Sequence, residues 1–279
     1  MARAVTERGL HFSDVRVDVR TNSAQLDAAL QRRWGGAARS MLPALRSYRM
    51  DVDVGERLRI AVDDEVLWNE PLGPEPESLT EFYLYRGMLA EHRRRYAVFH
   101  GAAVTSDRHA WVFCGTSGAG KSTVSTAALR RGCRYFTDEF VVTDGKALWG
   151  WPRTPEVDVR ESTDARRPRW LHGFEPVDAH GAARYPLHLR QVATHPVSAK
   201  RVHFVHLQSG ITTWIRPIST TEALRHWHEA AFYDCPVTLG EVVGPGRVWH
   251  AQWRDPDELL DELERGAQGA LDSRAPALP

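Results

Sequence analysis

The chain has 279 residues, enough for one large domain or two modest ones. Its hydrophobic content of 42% and charged content of 26% are ordinary for a globular protein and exclude wholesale disorder. Lys+Arg and Asp+Glu both total 36, so the formal charge is zero, which argues against sequence-blind nucleic-acid binding, a task that needs surplus cations. No apolar run approaches the roughly 20 residues of a membrane helix. The N-terminus has no apolar signal core, and three cysteines (Cys114, Cys133, Cys235) make no disulfide framework, so a cytoplasmic location is expected.

In chain order, Leu10 to Arg20 reads as a half-buried strand on Leu10, Phe12, Val15, Val17 and Val19. Asn22 or Ser23 would cap a helix over Ala24 to Trp34, ended by Gly35-Gly36. Met50–Val54, Leu58–Val62 and Glu65–Trp68 read as short strands, with Asp63-Asp64 as a hairpin turn. Pro71-Leu72-Gly73-Pro74-Glu75-Pro76 marks a boundary. It divides a small α+β N-terminal region (residues 1–75) from a main α/β domain (76–265), with 266–279 expected as a disordered tail. In the main domain a helix is expected over Leu79 to Arg95, followed by strands Ala97–Thr105 and His109–Cys114. Glu161 to Arg184, with Arg166, Arg167 and Arg169, reads as a polar loop or lid. Arg201–Leu207, Thr212–Ile218 and Val248–Trp253 read as strands, with helices from Thr220 or Thr221 to about Tyr233 and from Asp255 to Arg265.

The chemistry begins at Gly115-Thr116-Ser117-Gly118-Ala119-Gly120-Lys121-Ser122-Thr123, which satisfies GxxxxGK[ST] between an apolar strand and a helix-forming stretch, Thr123 to Arg131. Glycines let successive backbone N–H groups turn toward an oxyanion, and the following helix N-terminus adds partial positive charge. Lys121 would reach the β- and γ-phosphates of ATP, and Ser122 would ligate Mg²⁺. Only three of the 36 basic residues are lysine, so a lysine at this position is informative. The helix stops at Gly132, and strand Cys133–Thr137 runs into Asp138-Glu139. A strand, crossover helix and strand this compact predict two parallel, close strands, with both carboxylates at the sheet edge beside the loop. One acid would hold Mg²⁺ and the other would take a proton from an attacking hydroxyl. Pairing Thr105 with His109 places His100 opposite Cys114, at the mouth of the loop, with Gly101 permitting close approach.

His100-Gly101, the hairpin, the Gly115 to Ser122 loop, Arg131-Gly132 and Asp138-Glu139 together resemble HPr kinase/phosphorylase and its relatives, including kinases encoded beside ribosomally made peptides such as lasso peptides. The likeness covers about Tyr96 to Val142, and Trp151-Pro152-Arg153 resembles a Pro-Arg segment of the relatives. The resemblance implies a P-loop sheet of the HPr-kinase type and an ATP- and Mg²⁺-dependent phosphotransferase acting on a Ser/Thr-type hydroxyl. His100, Lys121, Asp138 and Glu139 fall at active-site positions; Glu156 and Glu161 are candidates for a further Mg²⁺ ligand. The favoured acceptor is a peptide or protein in a specialised biosynthetic pathway. The alternatives are a small-molecule kinase and a nucleotide-dependent switch or scaffold.

Two histidine groups, His203-Phe204-Val205-His206 and His226-Trp227-His228, lack cysteine neighbours, and the strand spacing of the first sends its side chains to opposite faces. Both read as structural. Trp149 and Trp151 are the first tryptophans after the acidic pair, and packing is the expected role of most of the ten.

Overall fold

The computed structural model describes residues 5–35, 44–73, 75–93, 95–151, 153–154, 156–158, 175–176, 182–184, 191–193, 195–231 and 247–272. Strands β1 (Thr6–Phe12) and β2 (Val15–Thr21) form a hairpin where one strand was expected. The apolar residues change parity at the turn, from Leu10 and Phe12 to Val15, Val17 and Val19. A hairpin brings both sets to one face, as the pairs Leu10–Val17 and Phe12–Val15 show. Helix α1 (Ala24–Trp34) is capped by Ser23, whose hydroxyl accepts from the Leu26 N–H at 3.2 Å. Strands β3 (Arg46–Val54), β4 (Arg57–Val62) and β5 (Glu65–Pro71) complete a five-stranded sheet in the order β1-β2-β3-β4-β5. Asp63 and Asp64, with φ of 46° and 73°, make the tight turn between β4 and β5.

Helix α2 (Pro76–His92) starts before the expected Leu79, because proline is tolerated in a first turn. Next come β6 (Ala97–His100), β7 (Ala102–Thr105), β8 (Ala110–Cys114), α3 (Lys121–Arg130), β9 (Arg134–Thr137), β10 (Phe140–Thr143) and β11 (Ala147–Trp149). Short strands β12 (Glu156–Asp158), β13 (Glu175–Pro176) and β14 (Ala182–Arg184) form a separate three-stranded sheet. The lid expected over Glu161 to Arg184 lies mostly outside the described residues, and so do Glu161 and the three lid arginines; its described parts are β13 and β14. The chain continues through β15 (Val197–Ser198), β16 (Val202–Ser209), β17 (Trp214–Pro217), α4 (Thr220–Ala230), β18 (Val248–Trp253) and α5 (Pro256–Asp272).

Helix α5 runs past Arg265, where its end was expected. Leu259, Leu263 and Ala267 repeat at four-residue spacing and are fully buried, so one face stays anchored. Gly266 fits this packing because a side chain there would stand 2.9 Å from Ile215 Cδ1.

The central sheet has six strands in the order β17-β18-β16-β8-β7-β9. β8, β16 and β18 are parallel neighbours. All five residues of β8 are buried: Trp111 and Phe113 face a core with Val124, Ala127, Leu259 and Leu263 from α3 and α5, while Ala110, Val112 and Cys114 face Phe99, Phe136 and Phe204. A third core joins the N-terminal sheet to α2 through an aromatic cluster of Phe12, Trp34, Phe140, Trp151 and His92. This cluster spans both sides of the Pro71–Pro76 segment. Trp151 is 1% exposed within it, which makes it a packing residue. Among the described residues, no helix is long and apolar enough to cross a membrane.

Two strand ribbons change sheets at the same place. The expected strand Ala97–Thr105 breaks at Gly101: β6 joins a four-stranded sheet, order β15-β11-β10-β6, while β7 stays in the central sheet. The segment Asp138-Glu139 makes the matching step from β9 to β10. Gly101 is needed at this corner. A Cβ there would lie 2.8 Å from the Phe113 carbonyl and 3.2 Å from Cys114 Sγ.

Candidate active site

The Gly115 to Gly120 segment links β8 to α3, which begins at Lys121, two residues before its expected start. Gly120 has φ of +89°, and a Cβ on it would fall 2.0 Å from Trp253 Cζ2, so both backbone conformation and space require glycine. The Trp253 indole N–H donates to the Ala119 carbonyl at 2.7 Å and braces the loop from β18. Sequence reasoning missed this residue, because its role depends on β18 reaching the loop through β16. Thr116, Ser117 and Gly118 are exposed, whereas Ala119, Lys121 and Thr123 are buried. Lys121 Nζ donates to the carbonyls of Gly115 at 3.0 Å and Thr116 at 3.1 Å, so its ammonium lies along the loop. Burial lowers the Lys121 pKa, against the upward pull of Cys114, Glu139 and Asp138. Burial also pushes the Cys114 thiol up to about 12, leaving it an inert part of the sheet.

β8 and β9 are parallel and share the central sheet, but β7 lies between them, so they are not adjacent as the compact crossover predicted. β7 already pairs with β8 as a hairpin, and β9 adds to its free edge. Thr137 ends β9 by accepting from the N–H groups of Glu139 at 3.1 Å and Phe140 at 3.0 Å, which fixes the acidic turn.

His100 is not opposite Cys114. Thr105 pairs with Ala110, the ladder ends at Ala102 and Phe113, and His100 pairs with Phe140 in the neighbouring sheet. The step at Gly101 causes this difference, and it brings His100 to the acidic turn. His100 Nδ1 lies 3.5 Å from Glu139 Oε1, and the Gly101 N–H donates to the Glu139 carbonyl at 3.2 Å.

The two acids differ in setting. Asp138 is 5% exposed, and its Oδ1 is buried with no hydrogen-bond partner among the described residues. Burial is the main cause that raises its pKa to about 6, and the charge of Glu139 acts the same way; Arg153 and the hydroxyls of Tyr135 and Ser122 pull it back. For Glu139, burial pushes upward, but the hydrogen bond and charge of His100, with Arg153 and Lys121, outweigh it and hold the carboxyl below its ordinary value. Arg153 thus acts on both acids. It is held by Glu81, whose Oε1 lies 3.2 Å from Arg153 Nε and which also pairs with Arg33. The adjacent Thr154 hydroxyl donates to the Arg32 carbonyl at 2.7 Å, tying the segment to the end of α1. Glu156, a candidate further ligand, is described only as part of β12.

Sequence comparison adds little: no family model matches the chain, and no curated protein matches it. Among solved structures, the chain is similar to the Hpr(Ser) kinase/phosphatase from Coxiella burnetii, with 15% sequence identity, 63% of this chain and 98% of that chain covered, and a TM-score of 0.32.

Proposed function

We propose that the protein is an ATP-dependent kinase that phosphorylates a Ser/Thr-type hydroxyl, with a peptide or protein as the favoured acceptor. The observation that carries this reading is the acidic turn itself. A buried carboxylate with an unpartnered oxygen (Asp138) and a histidine-paired carboxylate (Glu139) act electrostatically on the lysine of a GxxxxGKS loop. The motif supplies backbone N–H groups and Lys121 for the phosphates.

Mg²⁺ suits the donor set, because Asp138 Oδ1 and the Ser122 hydroxyl are hard oxygen donors and Oδ1 otherwise lacks a partner. When bound with the nucleotide, Mg²⁺ would neutralise charge on the β- and γ-phosphate oxygens. Glu139 is the favoured proton acceptor, since its side chain is 34% exposed and its partner His100 is 40% exposed, whereas Asp138 is nearly covered. In the reaction the acceptor oxygen bonds to the γ-phosphorus, the bond from that phosphorus to the β,γ-bridging oxygen breaks, ADP leaves, and the hydroxyl proton passes to Glu139. His100 orients Glu139. The lowered pKa of Glu139 keeps it ionised and free to accept that proton at neutral pH. The openness of the His100–Glu139 pair supports an acceptor as large as a chain segment over an enclosed small molecule.

The test is mass spectrometry of serine-containing peptides and proteins incubated with ATP and Mg²⁺, alongside calorimetry of nucleotide binding. Phosphate on a hydroxyl is expected with the natural sequence and not with Asp138→Asn or Glu139→Gln, while both variants still bind ATP. Absence of heat with ATP and Mg²⁺ would refute the reading. Turnover unchanged in both variants would also refute it, in favour of a nucleotide-binding switch.

A further inference from the structure

Three imidazoles from distant parts of the sequence meet near the start of the Gly115 loop. β16 and β18 are parallel neighbours, and their register sets His206 directly beside His250. Helix α4 brings His226 against His206, with ring centroids 3.6 Å apart and planes 11° from parallel. One ring nitrogen from each of His206, His226 and His250 lies within 4.8 Å of those of the other two. His203, three residues before His206, points to the opposite face and meets His109 at 3.1 Å, so the two histidines of that strand have separate roles.

The nitrogens divide into two sets. His206 Nδ1 and His250 Nε2 are buried and have no hydrogen-bond partner among the described residues. Of the other nitrogens of the cluster, His226 Nδ1 faces a carboxylate and His250 Nδ1 faces an arginine–carboxylate pair. His226 Nδ1 lies 3.2 Å from Glu229 Oε2, while the Arg216 guanidinium donates to His250 Nδ1 at 3.2 Å and holds Glu222 at 2.7 Å, whose Oε1 stands 3.8 Å from the same nitrogen, so His250 Nε2 becomes a ligand when Nδ1 takes its proton toward Glu222. A carboxylate behind an imidazole fixes the ring and raises the basicity of its far nitrogen, the usual outer arrangement around metal-ligating histidines. Packing alone explains a stacked pair of rings. It does not explain two buried nitrogens without partners next to a third imidazole backed by an acid.

We propose that His206, His226 and His250 form a binding site for one divalent transition-metal ion, with Zn²⁺ the best fit. Neutral nitrogen donors favour Zn²⁺ and its first-row neighbours over Mg²⁺ or Ca²⁺, which take oxygen. Three protein ligands leave one tetrahedral position for water or another ligand. A cavity of about 90 Å³ adjoins the cluster, lined by Gly115, Thr116, His206, His226, Glu229 and Ala230. Stacked rings carry parallel lone pairs, so binding turns the His226 ring out of the stack, a movement available to a side chain on α4. The site is distinct in donor chemistry from the oxygen donors Asp138 and Ser122, and the proposal stands whether or not the protein is a kinase.

The test uses the full chain, purified without a histidine tag and stripped with a chelator. Zn²⁺ alone is titrated by calorimetry, and Co²⁺ is followed by visible absorption. One Zn²⁺ per chain is expected, together with intense tetrahedral Co²⁺ bands that Zn²⁺ abolishes. His206→Ala and His226→Ala are each expected to weaken Zn²⁺ binding at least about a hundredfold, whereas His228→Ala, on the exposed side of the same helix, binds as the natural sequence does. If His206→Ala fails to fold by circular dichroism, His226→Ala decides, since its side chain is near the surface of α4. No Zn²⁺ heat and no Co²⁺ bands would overturn the proposal, as would equal weakening by His228→Ala and His226→Ala.

Discussion

The Gly115 to Thr123 loop has neighbours of two kinds. Near Lys121 and Ser122 stand two carboxylates, adjacent in sequence and held by one strand-end turn. Near Gly115 and Thr116 stand three imidazoles from β16, α4 and β18. Both groups leave buried polar atoms without partners among the described residues, Asp138 Oδ1 in the first and His206 Nδ1 and His250 Nε2 in the second. The difference lies in cost. A buried carboxylate without full compensation works against folding, whereas an imidazole can remain neutral and avoid that penalty. The acids are therefore where function should conflict most with stability, and substitutions there should separate the two.

The largest expected effect is on turnover. Glu139→Gln should lower phosphoryl transfer about a thousandfold while nucleotide affinity by calorimetry changes little, in line with the usual 10²–10⁴ contribution of a positioned proton acceptor. If affinity and turnover fall together, the acids serve binding and the contrast with the imidazoles collapses. Next, Gly120→Ala should destabilise the fold by about 2–4 kcal/mol in urea denaturation, because it combines a left-handed backbone with a collision against Trp253. Trp253→Ala in the same chain should recover part of that loss and none of the backbone strain.

Asp138→Asn sharpens the contrast between function and stability. The Asp138 pKa is raised in the folded state, so the unfolded chain loses its proton first as pH rises. Stability is therefore lost between the unfolded value near 4 and the folded value of about 6, and the full penalty remains at pH 8. In nucleotide-free protein the variant should be more stable at pH 8 by about 1–3 kcal/mol, a gain that vanishes toward pH 4 and is read as a rise in Tm. A lower Tm at pH 8 would show that Asp138 is compensated after all.

The smallest effect is read far from the loop. His92 is fully buried beside Trp151, its Nδ1 donates to the Met88 carbonyl at 2.7 Å, and burial depresses it to about 4. The unfolded chain binds a proton near pH 6.5, so stability should fall as pH drops from 6.5 toward 4, by no more than about 3 kcal/mol. His92→Phe should flatten that part of the profile in denaturation curves taken across this range.

Much of the site was legible because it is local. The glycine loop, the Gly132 helix stop and the Asp138-Glu139 strand end each follow from a few consecutive residues. What was hidden depends on register between distant segments. Gly101 marked a close approach in the sequence, but nothing local said that the strand would change sheets there, and the expected His100–Cys114 pairing followed from treating it as continuous. The turn in the first hairpin was present as a parity change after Phe12 but was read as one imperfect strand. The histidine cluster was missed because His206 and His226 were each weighed against near neighbours, while the partner that matters for His206, His250, comes only with the parallel pairing of β16 and β18. Arg153 was marked only through the resemblance of Trp151-Pro152-Arg153, and the ion pair with Glu81 that holds it spans 72 residues of sequence.

The paired crossing at Gly101 and Asp138-Glu139 couples shape to chemistry. Each ribbon belongs to one sheet before the crossing and to another after it, so the junction between the sheets passes through the histidine and the acids. His100 and Phe140 pair within the four-stranded sheet, so His100 and Glu139 are held to each other, whereas Lys121 follows β8 of the central sheet; the spacing between the acidic turn and the lysine is therefore set by how the two sheets meet.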